Sequence, residues 1–332
     1  MKFSLRLNND LPVREYVRLA QIAEHAGFYQ FWVSNDLFLR SCTVILTAVA
    51  AGTERIDIGT CILNPYSMNP AEIAMFAATL DEFSGGRFNL GLASGAADFL
   101  AWVGVDTPKP RTAVVESMDV INRLTSGQRA AIDGDFLHWT DEAYLRFEAL
   151  RRVPVYLGAM SPRMLVEIGR HADGGLPLLF PPEHFAHVLP LVEQGANEAG
   201  RSMDDIDLAA CIWVSLDDDR QAAQEVLKEK IAYYGHAMSQ TILAQLGLTH
   251  EDFAEIQHAA MVENDLAKAR SLVTPQMLKI GIAGSAHDLI GRLEGLAAMG
   301  ARHISFGPPL GTDPAAAIAL LGEQVLPHFQ DR

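Results

Sequence analysis

The feature that most restricts the fold of this sequence is a regular alternation of short apolar strands with helical segments along 332 residues. Each predicted strand is apolar enough to be buried on both faces, and a helix follows each one. Parallel strands joined by right-handed crossovers are the expected result of this order. The predicted strands are residues 2–7, 31–34, 56–63, 87–93, 154–159, 175–180, 206–216 and 303–307.

Eight such units favour a closed α/β barrel, the (β/α)8 TIM barrel, and leave an open doubly wound sheet as the alternative. Barrels reach this length as one domain, so we predict a single domain over residues 1–332. Two segments depart from the alternation. One is a loop and hairpin excursion near 97–152, where "FLHWT" and "YLRFEAL" are candidate partners, and the other is a helical insertion near 218–271.

The charge balance limits the ligands that the chain can bind. It has 26 basic and 41 acidic residues, a net charge of −15, and no run of basic residues. Nucleic acid and anionic membrane are therefore excluded as partners, and a small-molecule substrate is expected. An anionic ligand would have to be held by local groups, such as a helix N-terminus or a single arginine.

The cellular setting is predicted from three observations. The three cysteines are widely spaced, no apolar run reaches 18 residues, and the N-terminal segment has no signal-peptide pattern. We therefore expect a cytoplasmic protein without a disulfide framework. His184 and His187 share a helix face, but no third ligand accompanies them, so no metal site is predicted.

The stretch "LGAMSPRM" (157–164) has the pattern of an anion site. A predicted strand ends at Gly158, Ser161 is placed to cap a helix, Pro162 suits the first helical position, and Arg163 adds a positive charge. The alternative is an ordinary capped helix. The expected position at the carboxyl end of a barrel strand, where barrels bind their ligands, favours the anion site.

A polar pair, Asn35 and Asp36, follows the second predicted strand in "VSNDLFLR" (33–40). It either faces a ligand or caps and solvates the loop. The dinucleotide, Walker, nucleophile-elbow and zinc-protease motifs are not found in the sequence. A barrel without these motifs but with an anion-binding loop suggests that a bound cofactor supplies the reactivity.

Three long stretches resemble one known family. They are "NPYSMNPAEIAMFAATLDEFSGGRFNLGLASG", "VPVYLGAMSPRMLVEIGRHADGGL" and "SLVTPQMLKIGIAGSAHDLIGRLEGLAAMGARHISFGPPLG". They are similar to the bacterial luciferase-like superfamily of flavin- and deazaflavin-dependent oxidoreductases. Within it, "LVTPQM" and the "GA-x-x-P-R-M" pattern resemble the methylenetetrahydromethanopterin reductases, which use the deazaflavin coenzyme F-420. The similarity extends over almost the whole chain.

The resemblance implies a set of site residues. Relatives carry a non-prolyl cis peptide in a bulge of the third strand, which supports one face of the cofactor ring, and the matching bond is Cys61–Ile62. The resemblance also assigns residues to the sites for the cofactor phosphate, the cofactor ring and the cofactor tail. These residues are Gly158, Ala159, Met160, Ser161, Pro162 and Arg163 for the phosphate, Asn8, Asn35 and Asn64 for the ring, and Phe180 and Pro181 for the tail.

The chain departs from its relatives around the expected substrate site. Many relatives have Thr-Asp-His where this chain has Ser34-Asn35-Asp36, and reductases have an acidic residue where it has Ala96-Ala97 before Asp98. Asp36, with Asn35 beside it, is therefore the candidate catalytic group that replaces the histidine.

The predicted function is hydride transfer between reduced F-420 and a carbon–nitrogen or carbonyl substrate. One alternative is an FMN-dependent monooxygenase that uses reduced flavin and oxygen. The other is a flavin-binding barrel without catalysis. Relatives also imply a homodimer or homotetramer.

Overall fold

The computed structural model describes residues 1–330. Eight of the eleven strands in these residues match the predicted ones in order and in approximate extent. The eleven strands are β1 (Lys2–Leu7), β2 (Gln30–Val33), β3 (Asp57–Thr60), β4 (Phe88–Leu92), β5 (Ile132–Asp133), β6 (His138–Trp139), β7 (Val155–Ala159), β8 (Gly174–Pro177), β9 (Asp207–Leu216), β10 (Ile282–Gly284) and β11 (His303–Leu310).

Helices separate the strands of the main sheet. None within residues 1–330 is both long enough and apolar enough to span a membrane. The helices are α1 (Val13–His25), α2 (Cys42–Gly52), α3 (Pro70–Phe83), α4 (Ala97–Ala101), α5 (Pro110–Thr125), α6 (Pro162–His171), α7 (Phe185–Glu198), α8 (Arg220–Tyr234), α9 (Gln240–Gln245), α10 (Ala254–Met261), α11 (Leu266–Ser271), α12 (Ala286–Ala298), α13 (Pro314–Leu320) and α14 (Leu326–Gln330).

The strand order is that of a (β/α)8 barrel, which confirms the predicted fold class. Strands β1, β2, β3, β4, β7 and β8 pair in sequence order and in parallel, and β8 pairs with the start of β9. Strand β9 also pairs with β10 and β11, and β11 pairs with β1. The eight predicted strands correspond to β1–β4, β7–β9 and β11, whereas β10 is an addition that follows the helical insertion.

By their internal contacts the residues form two compact units. The first unit consists of Ser4–Pro177 and Val188–Ala209. The second consists of Met1–Phe3, Leu178–His187 and the residues from Ala210 onward. The single domain expected from the sequence stays a prediction.

The excursion in the first unit contains a hairpin, but its pairing differs from the prediction. Strand β6, within "FLHWT", pairs with β5, Ile132 opposite Trp139, and not with "YLRFEAL". The Glu116 carboxylate accepts hydrogen bonds from the backbone N–H groups of Asp135, Phe136 and Leu137, and so fixes the turn. A carboxylate about 20 residues away therefore selects the partner strand, which the apolar pattern alone does not reveal.

The predicted helical insertion near 218–271 is present in the second unit as α8 to α11. Its apolar side chains form one buried cluster that also includes Phe180 and Trp213. Phe180 precedes Pro181, and its ring centroid lies 4.4 Å from that of Trp213. The insertion is therefore a packed part of the second unit and contributes its own core.

Candidate active site

Most of the predicted site residues lie at the carboxyl ends of strands in the first unit. Asn8 follows β1, the pair Asn35 and Asp36 follows β2, and Cys61, Ile62 and Asn64 follow β3. Gly158 and Ala159 end β7, and Met160 to Arg163 lead into α6. Because the strands are parallel, these loops share the ligand-binding edge of the sheet.

The bulge after β3 has the predicted backbone form, because the Cys61–Ile62 peptide bond is cis. Regular pairing of the strand ends at Thr60 and resumes as a single bridge at Leu63. Cys61 Sγ lies 3.9 Å from Ser34 Oγ, so the bulge contacts the end of β2. The structure thus confirms the cis peptide, and the role of Cys61 and Ile62 behind a cofactor ring stays a prediction.

Glycines make room for this arrangement. A Cβ atom on Gly158 would lie 3.1 Å from Ile62 Cγ2 and 3.2 Å from Ala93 Cβ. A Cβ atom on Gly59, within β3, would lie 2.2 Å from the Trp32 ring. The glycine of the Gly-Thr-Cys run in β3 is therefore required by the close approach of the Trp32 indole. The glycine near the end of β7 is required by the Ile62 side chain of the bulge.

Asn64 holds its own loop in place. Its Oδ1 accepts hydrogen bonds from the backbone N–H groups of Tyr66, at 3.1 Å, and Ser67, at 2.9 Å. Its side chain also packs against Gly95, whose φ of +77° requires glycine. These bonds occupy the amide oxygen of Asn64, and contact with a cofactor ring stays a prediction for this residue.

The start of α6 borders a cavity of about 420 Å³. Ser161 caps the helix as predicted, because its Oγ accepts a hydrogen bond from the Met164 N–H, and Pro162 occupies the first helical position. Within residues 1–330, the Arg163 guanidinium makes no ion pair or hydrogen bond. The cavity is lined by Ser94, Lys109, Pro110, Arg111, Thr112, Val114, Gly158, Ser161, Arg163 and Met164.

Two further cations border this cavity and were not singled out from the sequence. Lys109 Nζ pairs with Asp135 at 3.0 Å, and Arg111 Nη1 pairs with the buried Glu167 at 2.9 Å. Lys109 has a left-handed backbone, φ +48°, just before α5. Three cations and a helix N-terminus thus border one cavity in a chain of net charge −15, and the binding of an anionic group there stays a prediction.

Asn9, which sequence reasoning passed over in favour of Asn8, fixes the loop after β2. Its side chain is fully buried. Its Oδ1 accepts from the Asp36 N–H at 3.1 Å, and its Nδ2 donates to the carbonyls of Asp36, at 3.0 Å, and Arg40, at 2.6 Å. The only signal in the sequence was an asparagine pair directly after a barrel strand.

Asn8 is held through its backbone. Its carbonyl accepts a hydrogen bond from the Tyr16 hydroxyl, which itself accepts from the Leu11 N–H at 3.0 Å. Burial raises the pKa of the Tyr16 hydroxyl to about 12, so this donor keeps its proton throughout the physiological range. The Asn8 backbone is fixed, and the role of its side chain in the ring pocket stays a prediction.

Phe180 and Pro181 belong to the second unit. Phe180 is buried in the apolar cluster of the insertion, and the Phe180–Pro181 bond is cis. Nearby, the rings of His184 and His187 stack at 5.4 Å, and His184 Nδ1 lies 3.1 Å from Gln245 Oε1. The assignment of Phe180 and Pro181 to a cofactor tail stays a prediction.

The strand order defines a (β/α)8-barrel protein, a fold whose ligands bind at the carboxyl ends of the strands, where the cavity at the start of α6 lies. The family model for luciferase-like monooxygenases matches residues 1–303. The chain belongs to the luciferase-like family, which confirms the resemblance inferred from its motifs.

Individual relatives are similar over the full length. A 5,10-methylenetetrahydromethanopterin reductase of Methanopyrus kandleri is 31% identical, with 100% of this chain and 99% of the relative covered. The solved structure of a coenzyme F420 dependent tetrahydromethanopterin reductase from Methanopyrus kandleri is 30% identical, with 99% of each chain covered and a TM-score of 0.93. An F420-dependent glucose-6-phosphate dehydrogenase of Nakamurella multipartita is 28% identical, with 95% of this chain and 92% of the relative covered.

Proposed function

We propose that this protein is an F420-dependent oxidoreductase that transfers a hydride between the reduced deazaflavin and a substrate with a carbon–nitrogen or carbonyl double bond. The cavity at the start of α6 carries the proposal, since it offers a capped helix N-terminus and three cations. F420 carries a phosphate group, which such a site binds. The two relatives whose names state F420 dependence, at 28% and 30% identity, support the same cofactor.

The residues present fit this cofactor. Ser161, the backbone N–H groups at the start of α6 and the Arg163 guanidinium would hold the phosphate, with Lys109 and Arg111 as further cations. Gly158 borders the cavity and lies against the side chains of Ile62 and Ala93, which leave little room for a Cβ atom there. When bound, F420 supplies the hydride chemistry at its deazaflavin ring.

The protein's own side chains would orient the substrate and handle its proton. The loop after β2 is fixed by the three side-chain hydrogen bonds of Asn9, so Asn35 and Asp36 keep one position during binding. Asp36 would exchange a proton with the substrate through a carboxylate oxygen, and Asn35 would offer an amide donor and acceptor beside it. In this way the chain would perform the proton transfer without the histidine of its relatives.

The test is a titration of the purified protein with F420 and, separately, with FMN, followed by absorbance and fluorescence. We expect F420 to bind and to be oxidised or reduced when an imine-type or carbonyl substrate is added. Binding of FMN alone, with oxygen consumption, would instead support the monooxygenase. Binding of either cofactor without turnover would support a carrier.

The proposed enzyme works on small molecules as a homodimer or homotetramer. Light scattering coupled to size-exclusion chromatography checks the assembly, and a monomer at micromolar concentration would contradict it. A cytoplasmic location remains an expectation from the sequence.

A further inference from the structure

A cavity of about 520 Å³ lies in the second unit, where residues of α8, β10 and α12 line it. Its lining includes four cations and one carboxylate, in a chain of net charge −15. We name this cavity the cationic groove and define it by Arg220, Lys228, Lys279, Asp288 and Arg292. It shares no residue with the cavity at the start of α6. A local excess of positive charge in so acidic a chain attracts anions to this place.

The two helices present polar side chains to the cationic groove at regular spacing. Arg220, Gln224 and Lys228 follow one another at intervals of four residues, so they share one face of α8. Asp288 and Arg292 have the same spacing on α12. Arg220 Nη2 lies 2.6 Å from Asp288 Oδ1, so the two helix faces meet at one end of the groove. The walls are therefore built by helices and not by a loop.

The groove also contains part of the "LVTPQM" motif (272–277), to which the proposed function gives no role. Val273 and Pro275 line the groove, and Lys279 follows the motif. Gln276 lies between them in sequence, and its Nε2 donates to the Leu246 carbonyl at 2.7 Å. The motif is thus anchored to the helical insertion through Gln276 and borders the groove through Val273 and Pro275.

The backbone at the base of the groove is held close to its neighbours. A Cβ atom on Gly281 would lie 2.9 Å from the Trp213 carbonyl oxygen and 3.1 Å from Leu227 Cδ1. The Gly281 carbonyl accepts a hydrogen bond from Arg292 Nη1 at 2.7 Å. The Glu183 carboxylate accepts from Arg292 Nε at 3.0 Å and from Nη2 at 2.7 Å. The charge of Arg292 is therefore balanced, and this residue keeps the groove in shape.

The other cations have spare capacity for a ligand. Within residues 1–330, the Lys279 ammonium makes no ion pair or hydrogen bond. The Arg220 guanidinium bonds only through Nη2 in the same residues, so its Nε and Nη1 are available. Lys228 pairs with Glu225 at 2.6 Å, but Glu225 also pairs with Arg270 at 3.2 Å, so two cations share one carboxylate. The groove thus offers more donors than its own carboxylates accept.

Two aspartates close to Arg220 in sequence are engaged elsewhere. Asp217 accepts a hydrogen bond from the Thr312 hydroxyl. Asp219 Oδ1 accepts from the Gln221 N–H at 2.8 Å and so caps α8. Neither aspartate lines the groove, so they do not occupy its free donors.

The size and the lining of the groove indicate the class of ligand. Its volume of about 520 Å³ is typical of sites for small molecules. An inorganic anion would leave the apolar part of the lining in contact with water, whereas an organic anion would cover it. Phosphate groups are well suited to the charged part, because they accept several hydrogen bonds from arginine and lysine. The apolar side chains are those of Val273, Pro275, Leu278, Ile282 and Ala283.

We propose that the cationic groove binds a small organic anion of the di- or triphosphate class, with at least two negative charges and an apolar body. Lys279, Arg220 and Lys228 hold the charged groups, and Val273 and Pro275 pack against the body. The groove is a second ligand site of the protein, independent of the cofactor proposed for the cavity at the start of α6. Because the ligand joins α8 to α12, its binding stabilises the folded second unit.

The test is a calorimetric titration of the purified protein with ATP, with tripolyphosphate and with adenosine, in the absence of divalent cations. We expect ATP to bind, tripolyphosphate to bind several-fold more weakly because it lacks the apolar body, and adenosine not to bind because it lacks the charge. Lys279→Gln should raise the Kd of ATP about fivefold, and Lys279→Arg should keep it. The matched control is Arg14→Gln, which removes an exposed cation of the first unit and should leave the Kd of ATP unchanged.

Hydrogen exchange measures where ATP binds. We expect ATP to slow amide exchange in α8, in residues 273–284 and in α12, and we expect Lys279→Gln to leave the Kd of F420 unchanged. If Arg163→Gln abolished ATP binding while Lys279→Gln did not affect it, ATP would bind at the start of α6 and the proposal would be overturned. Equal affinities for tripolyphosphate and ATP would contradict the contact with the apolar lining. Absence of ATP binding at millimolar concentration would exclude the groove as a site for this class of ligand.

Discussion

The cavity at the start of α6 and the loop after β2 lie in the same compact unit but are built differently. In the cavity, the helix cap, the proline and the first cation come from three consecutive residues, Ser161 to Arg163. In the loop, the conformation of Asp36 depends on Asn9, which lies 27 residues earlier in the chain. The first site is mainly local in sequence, and the second is assembled over a long range.

The resemblance inferred from the sequence motifs implies the same division. The stretch predicted to bind phosphate resembles the family pattern, whereas Ser34-Asn35-Asp36 and Ala96-Ala97 are expected to depart from it. A phosphate is the same chemical group for each enzyme that uses the cofactor, so its site has one good solution. The substrate differs between enzymes, so the side chains that contact it differ as well.

The largest expected effect tests whether the two sites are functionally separate. Asp36→Asn keeps the shape of the side chain but removes its proton-transfer capacity. We expect kcat to fall about 100-fold or more, with the Kd of F420 unchanged. Steady-state kinetics and cofactor titration measure the two quantities. Asp141→Asn, an exposed position in the excursion, is the control. An equal loss of cofactor affinity would mean that the two sites are not separate.

The second-largest expected effect concerns cofactor binding at the cavity and should leave the loop after β2 unchanged. Ser161→Glu places a negative charge at the start of α6, which suits the helix but repels a phosphate. We expect the Kd of F420 to rise on the order of 30-fold while thermal stability is kept. Ser161→Thr retains the hydroxyl cap and serves as the control. If the Ser161→Glu variant bound F420 with wild-type affinity, the phosphate would have to bind at another place in the protein.

A smaller effect on activity is expected when the long-range clamp is removed. Asn9→Ala leaves the Asp36 N–H and two carbonyls without their partner. We expect the free energy of unfolding to fall by about 2–3 kcal/mol and kcat/KM to fall about tenfold, with the Kd of F420 nearly unchanged. Chemical denaturation and kinetics measure both. If stability falls while kcat/KM stays constant, the loop does not position the reacting groups.

The smallest effect concerns the outer edge of the cavity. The side chains of Lys109 and its partner Asp135 are 55% and 70% exposed, so solvent and salt screen the charge. Lys109→Gln should raise the Kd of F420 about threefold in low salt and less in 0.5 M salt. Lys109→Arg keeps the charge and should bind as the wild type does. A salt-independent change would show that Lys109 acts through its backbone and not through its charge.

The sequence predicted the strands of the sheet because each is a short, strongly apolar run followed by a helix. The same reasoning paired "FLHWT" with the wrong segment, since the two-residue strands of the hairpin are too short for a pattern. Glu116, on α5, decides that turn through three backbone hydrogen bonds. Because one distant carboxylate determines the pairing of β5 with β6, the sequence contains no periodic pattern that indicates it.

The candidate site likewise contains some features that the sequence predicted and others that it did not. The helix cap at Ser161 and the cis peptide at Cys61–Ile62 were predicted and are found in the structure. Asn9, Lys109 and Arg111 were missed, because an asparagine in a loop or a basic residue at the start of a helix has many possible roles. Only the fold shows that Asn9 is fully buried and that both cations border one cavity.

By itself, the sequence determined the (β/α)8 order, the family and the capped helix start at Ser161, because these depend on apolar periodicity, on local motifs and on contacts between residues close in the chain. The tertiary structure decided which loop is clamped and which cations meet at the cavity. Those features depend on groups tens of residues apart, and their free energy depends on burial and distance, which only the folded chain defines.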